Sequence, residues 1–230
     1  QINMFKIHSI IKHIFVGLNP DFDFLKKFFV LSFLLNGNLT FVQIPNPSNL
    51  VGSYQFSGNA NDSSGSGNNG VIFGSPSLTA DRFNNTNSAY SFDGNDYFYF
   101  GNSMSYQINN IFSISLWLNQ TSSSQTDLIG LGYQECGSSA GPIIRAGQTM
   151  NFNRCNAGFD TTDNTSNDGN WHQFVFVYDG SSRKIYRDGT LLNNLNGGGI
   201  FSVNTYGLVL GKAWKNYSGG NYYQGKADDL

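Results

Sequence analysis

The run Gly169–Asn194, GNWHQFVFVYDGSSRKIYRDGTLLNN, decides the fold. Trp171 to Tyr178 alternates large apolar residues with smaller or polar ones and runs into Asp179-Gly180. Lys184 to Arg187 is a second short run, closed by Asp188-Gly189. Period-two alternation sends successive side chains to opposite faces of a strand, and an Asp-Gly pair supplies the residues a tight hairpin turn requires. The glycine of each pair accepts positive φ without a Cβ clash. The stretch therefore predicts antiparallel strands joined by short turns.

Working outward, the same pattern recurs. Phe112 to Leu118, FSISLWL, puts Phe112, Ile114, Leu116 and Leu118 on one face and Ser113, Ser115 and Trp117 on the other. Leu50 to Phe56 sets Gly52, Tyr54 and Phe56 against Val51, Ser53 and Gln55, and Ile200 to Gly211 supplies two more strand-like pieces. The chain has 230 residues with 27 Gly, 12% charged and 15% aromatic residues, a turn-rich composition with too many aromatics for a disordered chain. Short strands, regular turn signals and no helical period predict an all-β, antiparallel two-sheet sandwich. Net charge is −2 with Lys and Arg scattered apart from pairs such as Lys26-Lys27, so no electrostatic footprint for nucleic acid is present. The two cysteines, Cys136 and Cys155, form no Cys-x-x-Cys, which argues against a thiolate zinc site.

The chain divides by composition. Residues 1–24 are apolar but irregular, broken by Pro20, and are an upstream segment that translation beginning near Leu25 would omit. Residues 25–42 open with Leu25-Lys26-Lys27, continue with FFVLSFLL from Phe28 to Leu35, and pass to a polar Asn-Gly-Asn stretch. Positive charge followed by a short apolar core describes a secretory signal peptide, and the apolar run is too short to span a bilayer. A buried strand or a spurious upstream translation is the alternative. Residues 43–49, QIPNPSN, are a proline-containing linker, and residues 50–230 are the domain. The reading is of a protein that is secreted or at the cell surface, without a membrane span.

Several motifs are similar to those of laminin G-like, concanavalin A-like jelly-roll domains. Trp171-His172, an apolar strand, Tyr178-Asp179-Gly180 and then Tyr186-Arg187-Asp188-Gly189 resemble the central hairpin of that family. Phe56 to Asp62 resembles its entry motif, Ser88 to Tyr97 (SAYSFDGNDY) its second signature, and Phe112 to Leu118 its Ser-Ile-Ser-x-Trp strand. Gly225 to Leu230, GKADDL, resembles the start of the closing strand, with Ala227 in place of a larger aliphatic. The family continues about one strand further, so the resemblance implies a truncated C-terminal strand. It also implies a jelly roll rather than another Greek key.

Chemistry is constrained by what the chain carries. Glycoside hydrolysis usually needs two flanking carboxyls, and the laminarinase-type enzymes of this fold place them as Glu-x-Asp-x-x-Glu. Glu135 is the only glutamate, so that motif is absent; Asp93, Asp179 and Asp188 each precede a glycine and read as turn caps. His172 is the only histidine in the domain and reads as structural; no phosphate loop occurs. The expectation is a non-enzyme.

The resemblance further implies a structural Ca²⁺ where the first and last strands meet, with Asp228 as carboxylate ligand opposite Gly58, Asn59 and Asp62. In a strand, Asp228 and Asp229 would face opposite ways, so one of them would serve the metal and the other solvent. Asp93 and Asp96 read as turn formers rather than a second metal pair.

Sugar binding needs exposed rings beside amides and hydroxyls. Trp117 and Trp171 lie in strand motifs and read as core. Trp214, Tyr217 and Tyr222 lie in the Gly/Asn-rich loop Lys212–Gln224 and are the candidate glycan platform, with Trp214 alternatively covering a sheet edge. Tyr223, before Gln-Gly, reads as core. Cys136 and Cys155 are expected to form a disulfide in an oxidising compartment, the alternative being two buried thiols. Together these residues describe an exported, non-catalytic carbohydrate-binding or adhesion module for an extracellular polysaccharide or glycoprotein. The alternatives are a protein–protein adhesion domain without a glycan site and, more remotely, a glycoside hydrolase.

Overall fold

The computed structural model describes residues 49–102, 111–131, 142–154, 167–196, 207–213 and 221–230. These fall within the unit Pro45–Leu230; the other unit of the chain is Gln1–Ile44. The described residues form β1 (Val71–Phe73), β2 (Ser77–Thr79), β3 (Ala89–Asp93), β4 (Tyr97–Tyr99), β5 (Phe112–Asn119), β6 (Thr126–Leu131) and β7 (Pro142–Ala146). They continue with β8 (Asn151–Arg154), β9 (Trp171–Tyr178), β10 (Ser182–Arg187), β11 (Thr190–Asn196), β12 (Leu208–Leu210) and β13 (Gln224–Asp228). Two antiparallel sheets result, ordered β1-β4-β12-β6-β7-β8 and β11-β10-β9-β5-β13-β3-β2. Among the described residues no helix is long and apolar enough to cross a membrane.

The alternation read from sequence is the burial pattern. Phe112, Ile114, Leu116 and Leu118 of β5 and Phe174, Phe176 and Tyr178 of β9 are buried and face the six-stranded sheet. Aromatic rings bridge the layers, with Phe92–Phe98 centroids 5.1 Å apart and Phe152–Phe176 5.9 Å apart. The Asp-Gly pairs turn as expected. Asp188 and Gly189 take φ of 49° and 78°, both positive as a two-residue β10–β11 hairpin of the primed type requires. Asp179 instead binds its own turn, accepting the Ser181 and Ser182 N–H groups at 3.0 and 2.7 Å.

The segment 50–56 departs from expectation. Its alternation predicts a strand, but none forms: Tyr54 N–H donates to Leu230 O (2.8 Å) and Leu230 N–H returns to Tyr54 O (3.0 Å), while Ser53 O accepts the Ser63 N–H (2.8 Å). Phe56 takes φ of 52°, which ends the extended run before more pairs can form. Tyr54 and Phe56 are nevertheless in the core.

The closing strand β13 is central, inserted between β3 and β5. Its Ala227 is buried where the family motif has a larger side chain, opposite Tyr90 and Leu118.

Candidate functional site

The outward face of the seven-stranded sheet follows from the core alternation. Since Tyr90, Phe92, Leu118 and Ala227 point inward, Ser91, Asn119 and Lys226 point outward. Register aligns them: Ser77 opposes Ser91, Ser91 opposes Lys226, Lys226 opposes Asn119, and Asn119 opposes Trp171. A lateral row therefore crosses five strands, polar for four positions and ending on an indole.

A cleft of about 430 Å³ opens on this row where β5 ends. Ser91, Asn119, Gln224 and Lys226 line it from the strands, and Gln120, Thr121 and Ser122 from the segment after β5. Gly169 completes the wall, and Asn119 Nδ2 donates to its carbonyl at 2.7 Å. Gln120 is buried and donates through Nε2 to Gly147 O at 2.9 Å, which fixes the wall to the neighbouring loop. Amides and hydroxyls dominate, and no carboxyl side chain is among the lining residues. Sequence reading missed this site. Alternation tells which residues face outward, but lateral alignment of strands distant in sequence has no local signal.

Two tryptophans need correction. Trp117 and Trp171 read as core from their motifs, yet both are half-buried on the outward face. They occupy the odd positions of strands whose even positions fill the core. Trp117 carries the Arg82 guanidinium 4.6 Å from its ring centroid, and Arg82 also lies 4.5 Å from that of Phe83, which is 67% exposed.

Of the loop candidates, Trp214 and Tyr217 lie outside the described residues. Tyr222 is half-buried on the other sheet, bridged to Asp127, with its ring 6.2 Å from Tyr97. The Lys212 ammonium lies 4.8 Å over Tyr97 and 5.0 Å over Tyr222, and Phe73 stacks on Tyr97 at 4.6 Å. Tyr223, one residue on, is fully buried as expected. Cys136 and Cys155 also lie outside the described residues.

The side chains of Asp62, Asn59 and Asp228, expected at a calcium site, hold other partners. Asp62 organises the Ser57–Gly70 loop, its Oδ1 accepting the Ser53 and Ser64 N–H groups (3.0 and 2.8 Å) and its Oδ2 that of Asn68 (2.9 Å). Burial opposes its ionisation, but these hydrogen bonds outweigh burial and hold its pKa below the usual carboxylate range. Asn59 Oδ1 accepts the Asn61 N–H at 2.9 Å. Gly58, with φ of 85°, donates its N–H to Phe56 O. Asp228 turns to Arg82, with Oδ2 2.7 Å from Nη1. A guanidinium already in contact repels a second cation, and Ca²⁺ requires 6–8 oxygens, so these side chains as placed do not fit a calcium shell. Among the described residues no group of three or more His, Cys, Asp or Glu side chains is placed to hold a metal.

The expectation that Asp228 and Asp229 face opposite ways is also corrected. Asp229 takes φ of 45°, which ends the strand alternation, and both carboxylates reach the one guanidinium, Asp229 Oδ2 lying 2.7 Å from Nη2. Burial first, and then the Asp229 charge, push the Asp228 carboxyl up to about 6 despite Arg82.

The turn readings hold at Asp93 and Asp96. Asp93 Oδ1 accepts the Asn95 N–H, and the buried Asp96 accepts the N–H groups of Ser75 and Asp93. His172 spans two carboxylates, Nδ1 2.6 Å from Asp188 and Nε2 3.2 Å from Asp168. Burial disfavours its imidazolium, but the two hydrogen bonds prevail and raise its pKa.

This geometry agrees with the comparisons. The chain belongs to the concanavalin A-like lectin/glucanase superfamily: the laminin G-like model of that superfamily matches residues 92–230, and the sandwich is its jelly roll. Comparison with curated proteins finds no sequence match. Among solved structures, domain 4 of AbnA, an extracellular GH43 arabinanase from Geobacillus stearothermophilus in complex with arabinotriose, is similar with a TM-score of 0.59 and 16% identity. The match covers 78% of this chain and 89% of that domain. The binding domain of botulinum neurotoxin DC, in complex with rat synaptotagmin II, matches at TM-score 0.57 and 15% identity over 80% of this chain and 47% of its own. Botulinum neurotoxin type C, whose cell entry depends on two ganglioside molecules, matches at TM-score 0.52 and 16% identity over 77% and 46%. The chain thus spans about half the length of those toxin chains. Its fold is that of a carbohydrate-binding or lectin-like module.

Proposed function

We propose that the domain is a non-catalytic glycan-binding module, exported and acting on an extracellular polysaccharide or glycoprotein. The observation that carries this reading is the cleft at the end of β5, walled by Ser91, Asn119, Gln120, Thr121, Ser122 and Gln224. Amides and hydroxyls of this kind bond sugar hydroxyls, and a half-buried indole one register position away at Trp171 suits an apolar sugar face. A lining free of carboxyl groups supports binding without hydrolysis. The arabinotriose complex of the similar arabinanase domain supports a glycan ligand. Export rests on the order Lys26-Lys27 then Phe28–Leu35. The loop carrying Trp214, Tyr217 and Tyr222 is a second contact region in this reading.

A glycan-array screen of the protein, with and without Ca²⁺, tests it. At least one glycan class is expected to bind, and the double substitution Asn119→Ala, Gln224→Ala is expected to abolish that binding while the melting temperature changes by only a few degrees. A protein that binds no glycan sinks the reading. The second reading, protein adhesion, is favoured by β1, which ends the six-stranded sheet among the described residues and leaves Val71 53% and Ile72 38% exposed.

A further inference from the structure

We infer that the glycan taken by this cleft is acidic and that Lys226 reads its charge; the inference rests on the glycan-binding reading above. Lys226 stands in the middle of the lateral row, between Ser91 and Asn119, and lines the cleft. It is half-buried, and among the described residues it has no ion-pair partner.

Of the carboxylates nearest in register or sequence, Asp228 and Asp168 are paired with other side chains and Asp93 holds its own turn. Asp93, two positions from Ser91 on the same face, accepts the Asn95 N–H. Asp228, two positions along β13, binds Arg82 at 2.7 Å. Asp168, next to the lining residue Gly169, accepts the Asn170 N–H at 2.9 Å and meets His172.

A neutral sugar seated here would strip water from the ammonium and return no counter-charge, which is unfavourable. An anionic substituent supplies that charge, while Ser91 and Asn119 on either side bond its remaining oxygens or the adjacent hydroxyls. An ammonium is a compact charge with three donors and makes no demand for a planar fork, so a carboxylate and a sulfate are equally served.

The experiment measures affinities of the protein for matched oligosaccharide pairs: oligogalacturonate against its methyl ester, and a sulfated galactan oligosaccharide against its desulfated form. Wild type is compared with Lys226→Gln and Lys226→Arg, all three confirmed as folded by their melting curves. At low salt at least one acidic member is expected to bind on the order of fivefold tighter than its neutral partner, a preference that Lys226→Gln removes and Lys226→Arg keeps. The arm that shows the preference tells carboxylate from sulfate. Equal binding within both pairs, or a preference that survives Lys226→Gln, overturns the acidic-ligand inference and leaves glycan binding standing. Failure to bind these or any other glycan overturns both.

Discussion

Arg82 Nη1 lies 2.7 Å from Asp228 Oδ2, and the carboxylate in this pair is 3% exposed whereas the guanidinium is 17% exposed. The pair joins the connection after β2 to the central strand β13, and Trp117 and Phe83 flank the guanidinium. Burial nevertheless dominates the titration, with the Asp228 carboxyl at about 6, above the ordinary carboxylate value of 3.8. A raised acid favours folding most when protonated. Its contribution is complete below pH 3.8 and is lost as pH rises through about 6. Asp228→Asn, which keeps the shape and removes the charge, is therefore expected to gain stability relative to wild type between pH 4 and pH 7.5. Melting temperatures across that range check the sign. Arg82→Met strands the buried carboxylate and should cost about 3 kcal/mol at pH 7.5, less at pH 5 where the group is protonated.

The same pair bears on calcium. A metal at Asp228 would meet the charge of the guanidinium on Oδ2, and Asp62 is held by three backbone N–H groups. Calcium and EDTA are expected to give superimposable melting curves; a rise with Ca²⁺ that Asp228→Ala removes would restore the ligand set expected from the family resemblance.

Gly130 of β6 lies under the Gly211–Ala213 crossing. A Cβ built there would fall on the Ala213 carbonyl oxygen, a backbone collision that no rotamer relieves. Gly130→Ala is expected to destabilise by roughly 3 kcal/mol or more in urea unfolding. That segment leads into the loop bearing Trp214, so glycan affinity measured on the folded fraction shows whether the loop depends on this anchor.

The position of Trp171 separates binding from folding. Half-buried on the outward face, it should cost only about 1–2 kcal/mol of stability when replaced by Ala. Phe176→Ala, in the core, should cost about 3–5 kcal/mol. Trp171→Ala should also weaken glycan binding several-fold, and Phe176→Ala should leave affinity per folded molecule unchanged. Isothermal titration beside denaturant melts distinguishes the two.

Arg154 at the end of β8 is the register partner of Pro142 at the start of β7. Cys155 is the next residue after one of these positions and Cys136 precedes the other by six, in the segment from β6. A Cys136–Cys155 disulfide is expected, worth about 3 kcal/mol in the chain-entropy model. Thiol titration of denatured, unreduced protein should find no free sulfhydryl; two would refute the bond.

Local chemistry alone determined the two long alternating strands and the Asp-Gly turns. Phe112–Leu118 and Trp171–Tyr178 alternate because a strand has two faces and only one meets the core, and Asp188-Gly189 turns because both residues tolerate positive φ. Tertiary structure decided which side chains meet. Tyr222 and Gln224 are two residues apart, yet one joins Tyr97 on the six-stranded sheet and the other lines the cleft on the seven-stranded sheet, because the chain crosses the sandwich at Tyr223. Lys226 lies between Ser91 and Asn119 only because β13 inserts between β3 and β5. Asp228 and Asp229 share one guanidinium because the backbone leaves the strand at Asp229. Periodicity is a property of a few consecutive residues and can be read along the chain; register between strands more than a hundred residues apart depends on the assembled core, which the chain forms only on folding.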